Sequence, residues 1–293
     1  MKNEILIEEF IDKLDVKIPE KEDFLQLASI IPINPKRSEV FHTNFERGML
    51  LYALIAKFQP KNVLEIGTAE GYSALCMAWA MFDYKIDGKI FTVDPKSHTE
   101  KIERKIKIKK NDDPVNMLLS TEELWEKFAP SEWIEKIEVI SGYSGEILKT
   151  KSFPQLDFYY VDGSHVYEAV KHDFFRILKL VSKNFMILFD DYVPNQNDGV
   201  TKVIDEEIVN IFDTTFIKTN TKQQRIKLKG NSLNDLIMCL IDSNSLKKSL
   251  WELYNEKEIN NFLKTYEFTE KRIKIRKKLG KRLPFLKNIK FRR

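Results

Sequence analysis

The chain has 293 residues, of which 43% are hydrophobic and 31% are charged, enough apolar side chains for one sizeable α/β core. No apolar run approaches the roughly 18 residues that a membrane-spanning helix needs, and the N-terminus has acids within its apolar positions, unlike a secretory signal. Two distant cysteines, Cys76 and Cys239, argue against a disulfide framework and favour a reducing cytoplasm.

The first elements are predicted to be amphipathic helices over residues 4–14 and 21–30, followed by a helix that Asn44 caps and that runs to Phe58. Beyond Pro60, short apolar strands alternate with helices. The five predicted strands cover residues 63–66, 90–93, 137–140, 158–161 and 185–189. Strands of continuous apolar character that are separated by helices predict a parallel sheet covered on both faces.

Two β-rich runs, residues 214–219 and 225–228, are joined by Thr-Asn-Thr-Lys and predict an antiparallel hairpin. The predicted fold is therefore α/β and Rossmann-like, with a mostly parallel seven-stranded sheet, an antiparallel C-terminal hairpin and helices on both faces. We expect an N-terminal helical segment at 1–40, a central domain at 41–230, and a helical extension with a basic tail at 231–293.

Two segments lie outside the predicted core. The connection 96–133 is long for a compact domain and contains one predicted helix near 122–128, so we expect either a lid or a solvated loop. Residues 271–293 hold twelve Lys and Arg and no acid, whereas the preceding chain has a net charge of −8. Peripheral contact with an anionic inner membrane face, RNA binding and a disordered solvated tail all fit this basic tail.

The first strand runs into the sequence VLEIGTAEGYSA, residues 63–74. Gly67 and Gly71 allow a tight turn and a close ligand approach, and the next helix offers its N-terminal amides. Asp94 ends the second strand, where a carboxylate can accept both hydroxyls of a ribose. Ligands of open α/β sheets bind at these carboxyl ends, so we predict a nucleoside cofactor there.

The sequence of the turn favours S-adenosylmethionine (SAM) over a nicotinamide dinucleotide. A dinucleotide fingerprint requires glycine where this chain has Ala69, and Glu65 and Glu70 would repel a pyrophosphate. Glu65 instead suits the ammonium of SAM, and Ser73 with the turn amides suits its carboxylate. The SGYS turn after the third strand is placed to border the adenine, through Gly142, Tyr143 and Ser144.

The segment VLEIGTAEGYSA resembles the first motif of class I SAM-dependent methyltransferases. Its Gly-Tyr-Ser ending, which includes Tyr72, is similar to that of the catechol-type O-methyltransferases. Together with VDGSH and FDDY it also resembles the macrocin-type sugar O-methyltransferases, over about residues 45–228. The resemblance implies methylation of a hydroxyl on a sugar, glycan or other small molecule.

Three aspartates are predicted to meet at the carboxyl ends of neighbouring strands: Asp162 after the fourth strand, and Asp190 and Asp191 after the fifth. Such carboxylates repel one another unless they are protonated or neutralised, and all-oxygen ligation suits Mg²⁺ or another divalent cation. The resemblance implies the same three ligands. A solvated turn, with one aspartate capping backbone amides, is the structural alternative for the Asp190–Asp191 pair.

His165 is the first candidate for the catalytic base, because a histidine can take a proton from an activated hydroxyl near neutral pH. The catechol-type enzymes have a lysine at this position, so Asp162 stays open as an alternative base, as does a purely structural role for His165. His172, one helical turn further on, is predicted to lie on the surface. His42 and His98 are predicted to be loop residues without a catalytic role.

The sequence is also compatible with three other functions. They are an RNA-binding methyltransferase that uses the basic tail, an NAD-dependent oxidoreductase and a non-enzymatic scaffold. Nucleic acid is the less favoured partner, because a nucleic-acid enzyme more often carries its positive charge around the site. A homo-oligomer is compatible with the sequence.

Overall fold

The computed structural model describes residues 4–31, 44–108, 112–194, 199–221, 223–227, 230–234, 236–247, 256–267 and 271. His42 and residues 272–293 of the basic tail lie outside this set, so the predictions made for them are not addressed by it. Within the described ranges, none of the helices combines the length and the apolar character that crossing a bilayer requires.

The N-terminal region begins with a strand, where the sequence predicted a helix. Its elements are β1 (Glu4–Leu6), α1 (Ile7–Leu14), α2 (Lys21–Ile30) and α3 (Phe45–Phe58). The strand forms because residues 4–6 pair in parallel with residues 216–218, far along the chain. Asn44 caps α3 as predicted, since its side-chain oxygen accepts the amides of Glu46 at 3.0 Å and Arg47 at 3.4 Å.

The central region contains all five predicted strands. It comprises β2 (Asn62–Ile66), α4 (Tyr72–Asp83), β3 (Lys89–Asp94), β4 (Ile102–Ile106), β5 (Val115–Leu119), α5 (Thr121–Phe128), α6 (Ser131–Ile134), β6 (Ile137–Ser141), α7 (Ser144–Thr150), β7 (Leu156–Val161), α8 (Tyr167–Leu178) and β8 (Val181–Tyr192). The long connection 96–133 is more ordered than expected, since β4 and β5 pair antiparallel within it.

The C-terminal region has the predicted antiparallel pairing, but between strands other than those predicted. It contains α9 (Gly199–Val203), a π-helical turn (Ile204–Ile208), α10 (Val209–Ile211), β9 (Thr215–Lys218), β10 (Gln223–Lys227), β11 (Gly230–Asn234), β12 (Ile237–Asp242) and a helix, α11, over residues 256–267. The antiparallel partner of β9 is β12, whereas β10 pairs with β11 in a separate ribbon. The main sheet therefore continues beyond residue 230, where a helical extension was expected.

The main sheet has eight strands in the order β1-β9-β12-β8-β7-β2-β3-β6. Strand β12 is antiparallel to both neighbours, and the other pairs are parallel. One face packs on helices α1 to α5, and the other on α7 to α11. The α/β Rossmann-like prediction is thus confirmed, with β1 as an additional edge strand. The carboxyl ends of β2, β3, β6, β7 and β8 meet at one edge of the sheet.

Candidate active site

The glycine turn after β2 is as tight as its sequence predicted. Gly67 and Gly71 have φ angles of 97° and 89°, in the region that favours glycine. A side chain on Gly67 would overlap the backbone of Asp162, and one on Gly71 would overlap the Trp125 ring. That ring is fixed because its Nε1 donates to the Glu70 carbonyl at 2.9 Å. The turn therefore lies close against the end of β7 and against α5.

Asp94 organises the loops at the end of β3. Its Oδ2 accepts the amides of Thr68 at 3.0 Å and Ala69 at 2.9 Å, and its Oδ1 accepts the Lys96 amide at 2.7 Å. The Gly142 amide donates to the Asp94 carbonyl at 2.9 Å. Asp94 thereby joins the glycine turn to the turn after β6.

A cavity of about 840 Å³ opens at this edge of the sheet, a volume suited to a cofactor. Five of the residues predicted to bind the cofactor line it, namely Gly67, Asp94, Tyr143, Ser144 and Asp162. Gly71, Tyr72 and Ser73 border a small adjoining cleft that also contacts Asp162. Glu65 and Gly142 are not among the residues lining either space.

Glu65 lies beneath the glycine turn and is fully buried. Its carboxylate accepts hydrogen bonds from the hydroxyls of Ser73 in α4 and Thr92 in β3. Burial raises the pKa of Glu65 to about 7, although those two hydrogen bonds oppose the shift. In this position Glu65 connects the first turn of α4 to the sheet.

Asp162 and Asp190 come together as predicted, but an arginine lies between them. Arg47 Nη1 is 3.5 Å from Asp162 Oδ2, and Arg47 Nε is 2.6 Å from Asp190 Oδ2, an ion-pair contact rather than an aligned hydrogen bond. The Tyr160 hydroxyl also donates to Asp190 Oδ2 at 2.7 Å. Burial and the neighbouring Asp190 raise the pKa of Asp162, and Arg47 opposes this shift.

Asp191 is oriented differently from the other two aspartates. It has a φ angle of 63°, and its amide donates to Asp190 Oδ1 at 2.7 Å. Its Oδ2 lies 3.4 Å from Nε2 of His165, whose side chain is 54% exposed. Asp191 and His165 thus form a pair at the mouth of the cleft that also contains Asp162 and Asp190.

The three aspartates, as arranged, do not fit a divalent cation. Arg47 already neutralises the Asp162–Asp190 pair, and Asp191 faces His165. Across the part of the chain that the structure describes, no group of three His, Cys, Asp or Glu side chains could hold a metal ion. The Arg47 guanidinium supplies the positive charge that the sequence predicted to come from Mg²⁺.

The environments of two other histidines differ from the sequence prediction. His172 was expected on the surface, which is wrong: it is fully buried because helix α11 covers it, with its ring 4.6 Å from that of Tyr266. His98 is also buried, and burial lowers its pKa. Its carbonyl accepts the Thr121 amide at 3.0 Å, so His98 belongs to the packing between the 96–133 segment and α5.

Arg47 is the main site residue that the sequence did not predict. The only local signal is a cation in the first turn of a helix that is otherwise largely apolar, FERGMLLYALIAKF. An arginine that is 7% exposed in such a helix requires acidic partners nearby. Those partners lie more than 100 positions further along the sequence, so spacing could not reveal them.

Comparison with known proteins agrees with this geometry. Residues 64–192 match a family model described as a methyltransferase domain, a segment that includes the glycine turn and all three aspartates. No curated protein matches the sequence.

Three solved structures are similar to part of this chain. One is the O-methyltransferase TomG from Streptomyces achromogenes, involved in tomaymycin synthesis, in complex with SAM (21% identity, 80% of this chain, 95% of that chain, TM-score 0.49). A second is cofactor-bound Rv0187 from MTB (16% identity, 80% of this chain, 95% of that chain, TM-score 0.50). A third is an O-methyltransferase from Bacillus cereus in complex with SAH (19% identity, 80% of this chain, 100% of that chain, TM-score 0.48). At such low identities the likeness extends no further than the fold, and of these three structures Rv0187 alone reaches a TM-score of 0.5. Residues 64–192 of this chain therefore resemble a methyltransferase domain and lie on a Rossmann-like α/β sheet.

Proposed function

We propose that this protein transfers the methyl group of SAM to a hydroxyl oxygen of a sugar, glycan or other small molecule. The observation that carries the proposal is the position of Asp162, which borders both the 840 Å³ cavity and the cleft containing His165. A pocket suited to the cofactor and a group able to take a proton therefore adjoin each other. Proximity of that kind supplies much of the rate in a single displacement.

The residues lining the cavity suit SAM, whose sulfonium supplies an electrophilic methyl group. Asp94 has its carboxylate at the end of β3, where ribose hydroxyls can donate to it. The backbone beside Gly67 and the N-terminus of α7 at Ser144 offer amides to polar groups of the cofactor.

His165 is the proposed proton acceptor. With Nε2–H directed toward Asp191, Nδ1 has the lone pair and can take the proton of the acceptor hydroxyl as the oxygen attacks. Asp191 then stabilises the imidazolium at 3.4 Å. The new carbon–oxygen bond forms as the carbon–sulfur bond breaks, and no covalent enzyme intermediate is involved.

Magnesium assistance stays a prediction of the family resemblance, and the arrangement around Arg47 does not support it. No step proposed here depends on a divalent ion. Turnover measured in EDTA and in added Mg²⁺ tests this point separately from methyl transfer. Turnover lost in EDTA and restored by Mg²⁺ would require Arg47 to move away from the aspartates.

Contact of the basic tail with an anionic membrane surface also stays a proposal, with RNA as its rival. Sedimentation with vesicles of anionic lipid, compared with binding to single-stranded RNA, distinguishes the two for the full chain and for a chain ending at residue 270. A homo-oligomer stays a prediction that the molecular mass in solution can test.

Calorimetry with S-adenosylhomocysteine (SAH) and with NAD⁺ tests the cofactor. We expect SAH to bind and NAD⁺ not to bind, and Asp94→Ala to weaken SAH binding at least about tenfold, as loss of a charged hydrogen-bond acceptor does. Glu126→Gln, an exposed acid on α5, is the matched control. Binding of NAD⁺ in place of SAH would refute the proposal.

Radiolabelled SAM offered with a panel of hydroxylated sugars and phenols tests the reaction. His165→Ala should lower kcat about 100-fold or more, the usual contribution of a general base, while SAH affinity stays unchanged. Transfer of the label to an amine instead of a hydroxyl would contradict O-methylation. If His165→Ala turned over as fast as the wild type, another group would have to accept the proton of the acceptor hydroxyl.

A further inference from the structure

Helix α11, residues 256–267, lies outside the segment that matches the methyltransferase family, yet it forms part of the cofactor cavity. Phe262, Thr265 and Tyr266 line the same space as Asp94 and Asp162. The chain therefore adds a wall to the cavity from a region that the family segment does not contain.

The helix is fixed by its own apolar contacts. Ile259 and Leu263 are buried in the core on the α8 side of the sheet. The Phe262 ring packs edge-on against Phe175 of α8, with ring centres 5.8 Å apart. These contacts are those of a docked helix, because they bury its apolar face against an existing core.

Glu267, at the end of the helix, adds a polar anchor. It accepts hydrogen bonds from Lys149 of α7 at 2.5 Å and from Arg176 of α8, and it lies 3.4 Å from Nε2 of His172. Burial raises the pKa of Glu267, but the hydrogen bonds from Lys149 and Arg176 outweigh it and hold the pKa at about 2. Glu267 therefore ties α11 to both helices next to the cavity.

The chemistry of this wall suits a flat heteroaromatic ring. Around Asp94 the cavity is bordered by the apolar side chains of Val93 and Pro95, and α11 contributes Phe262 and Tyr266. Asp94 is the residue suited to a ribose, so the base attached to that ribose must lie within a few ångströms of it. Aromatic and apolar walls are the usual surroundings of a purine in such pockets.

We infer that α11 supplies the aromatic wall for the purine base of SAM, through Phe262 and Tyr266. This rests on the proposed function, because it requires SAM to be the cofactor. Cofactor affinity then depends on residues beyond the family segment and on the docking of α11 through Glu267.

The test is calorimetry of SAH and of adenosine with the full chain and its variants. Tyr266→Ala and Phe262→Ala should each weaken binding of both ligands fivefold or more, the order of magnitude expected for a lost base–aromatic contact. Tyr266→Phe should restore affinity to within about twofold, because the ring is retained. Lys264→Ala, on the exposed side of the same helix, is the matched control and should bind as wild type.

Glu267→Ala tests the docking of the helix, because this residue does not line the cavity, and it should also weaken SAH binding. If Tyr266→Ala does not fold by circular dichroism, Tyr266→Leu keeps apolar volume without the ring and should show the same loss. If the Tyr266 and Phe262 variants bind SAH with wild-type affinity, the inference about α11 is wrong, but the proposed function is unaffected. Failure of the wild-type chain to bind SAH overturns the proposed function as well, which distinguishes the two.

Discussion

Replacing Glu65 by glutamine should change how stability depends on pH. Glu65 is fully buried, and its pKa is raised from 4.5 to about 7 in the folded chain. Folding therefore favours the protonated form: the contribution to stability is fully present below about pH 4.5 and is lost as pH rises through 7. From these two values, the wild type loses about 2.5 kcal/mol through this group between pH 5 and pH 8.

Glutamine at position 65 does not titrate and can still hydrogen-bond the hydroxyls of Ser73 and Thr92. The free energy of unfolding of Glu65→Gln, relative to wild type, should therefore rise by about 2.5 kcal/mol over that interval. Urea unfolding at half-unit steps of pH measures it, and the difference between the two chains cancels the other titrating groups. Glu126→Gln, at an exposed position, is the control. A difference that is constant with pH would refute the reasoning.

Two further substitutions test the turn and the arginine. Gly71→Ala forces alanine to a φ of 89° and into the Trp125 ring, which should lower the free energy of unfolding by about 3 kcal/mol. Calorimetry should then show a melting temperature lower by about 5 °C. An unchanged melting temperature would contradict the overlap. Arg47→Met leaves Asp162 and Asp190 buried without their counter-charge and should lower the free energy of unfolding by about 3–5 kcal/mol at pH 8. A loss below about 1 kcal/mol in urea unfolding would mean that the guanidinium is not their main partner.

The sheet was predictable where strands are apolar throughout and separated by helices. Strands β2, β3, β6, β7 and β8 satisfy both conditions, and all five were found near their predicted positions. The pairing of β9 with β12 was not predictable from the sequence. The four-residue turn next to β9 favours a hairpin with the strand that follows it, whereas β12 lies about 20 residues away. The pairing with β12 is decided by burial of its apolar residues between β9 and β8, which is a tertiary effect.

The site was predictable where its residues end strands of the sheet. Asp94, Asp162 and Asp190 follow from the rule that parallel strands place their carboxyl ends at one edge. Arg47 and Tyr266 do not follow from it, since they come from helices before and after the family segment, and only folding places them against these strands. His172 was misassigned for the same reason, because the helix that covers it lies more than 80 positions further along the chain.

The short strand β1 has a consequence for association between molecules. Without it, β9 would form the border of the main sheet, with a row of unsatisfied amides and carbonyls beside apolar side chains. Such borders invite strand addition by a second chain, which leads to aggregation. Residues 4–6 cover this border as a three-residue edge strand that continues into α1. A second chain therefore finds little exposed edge on which to add a strand.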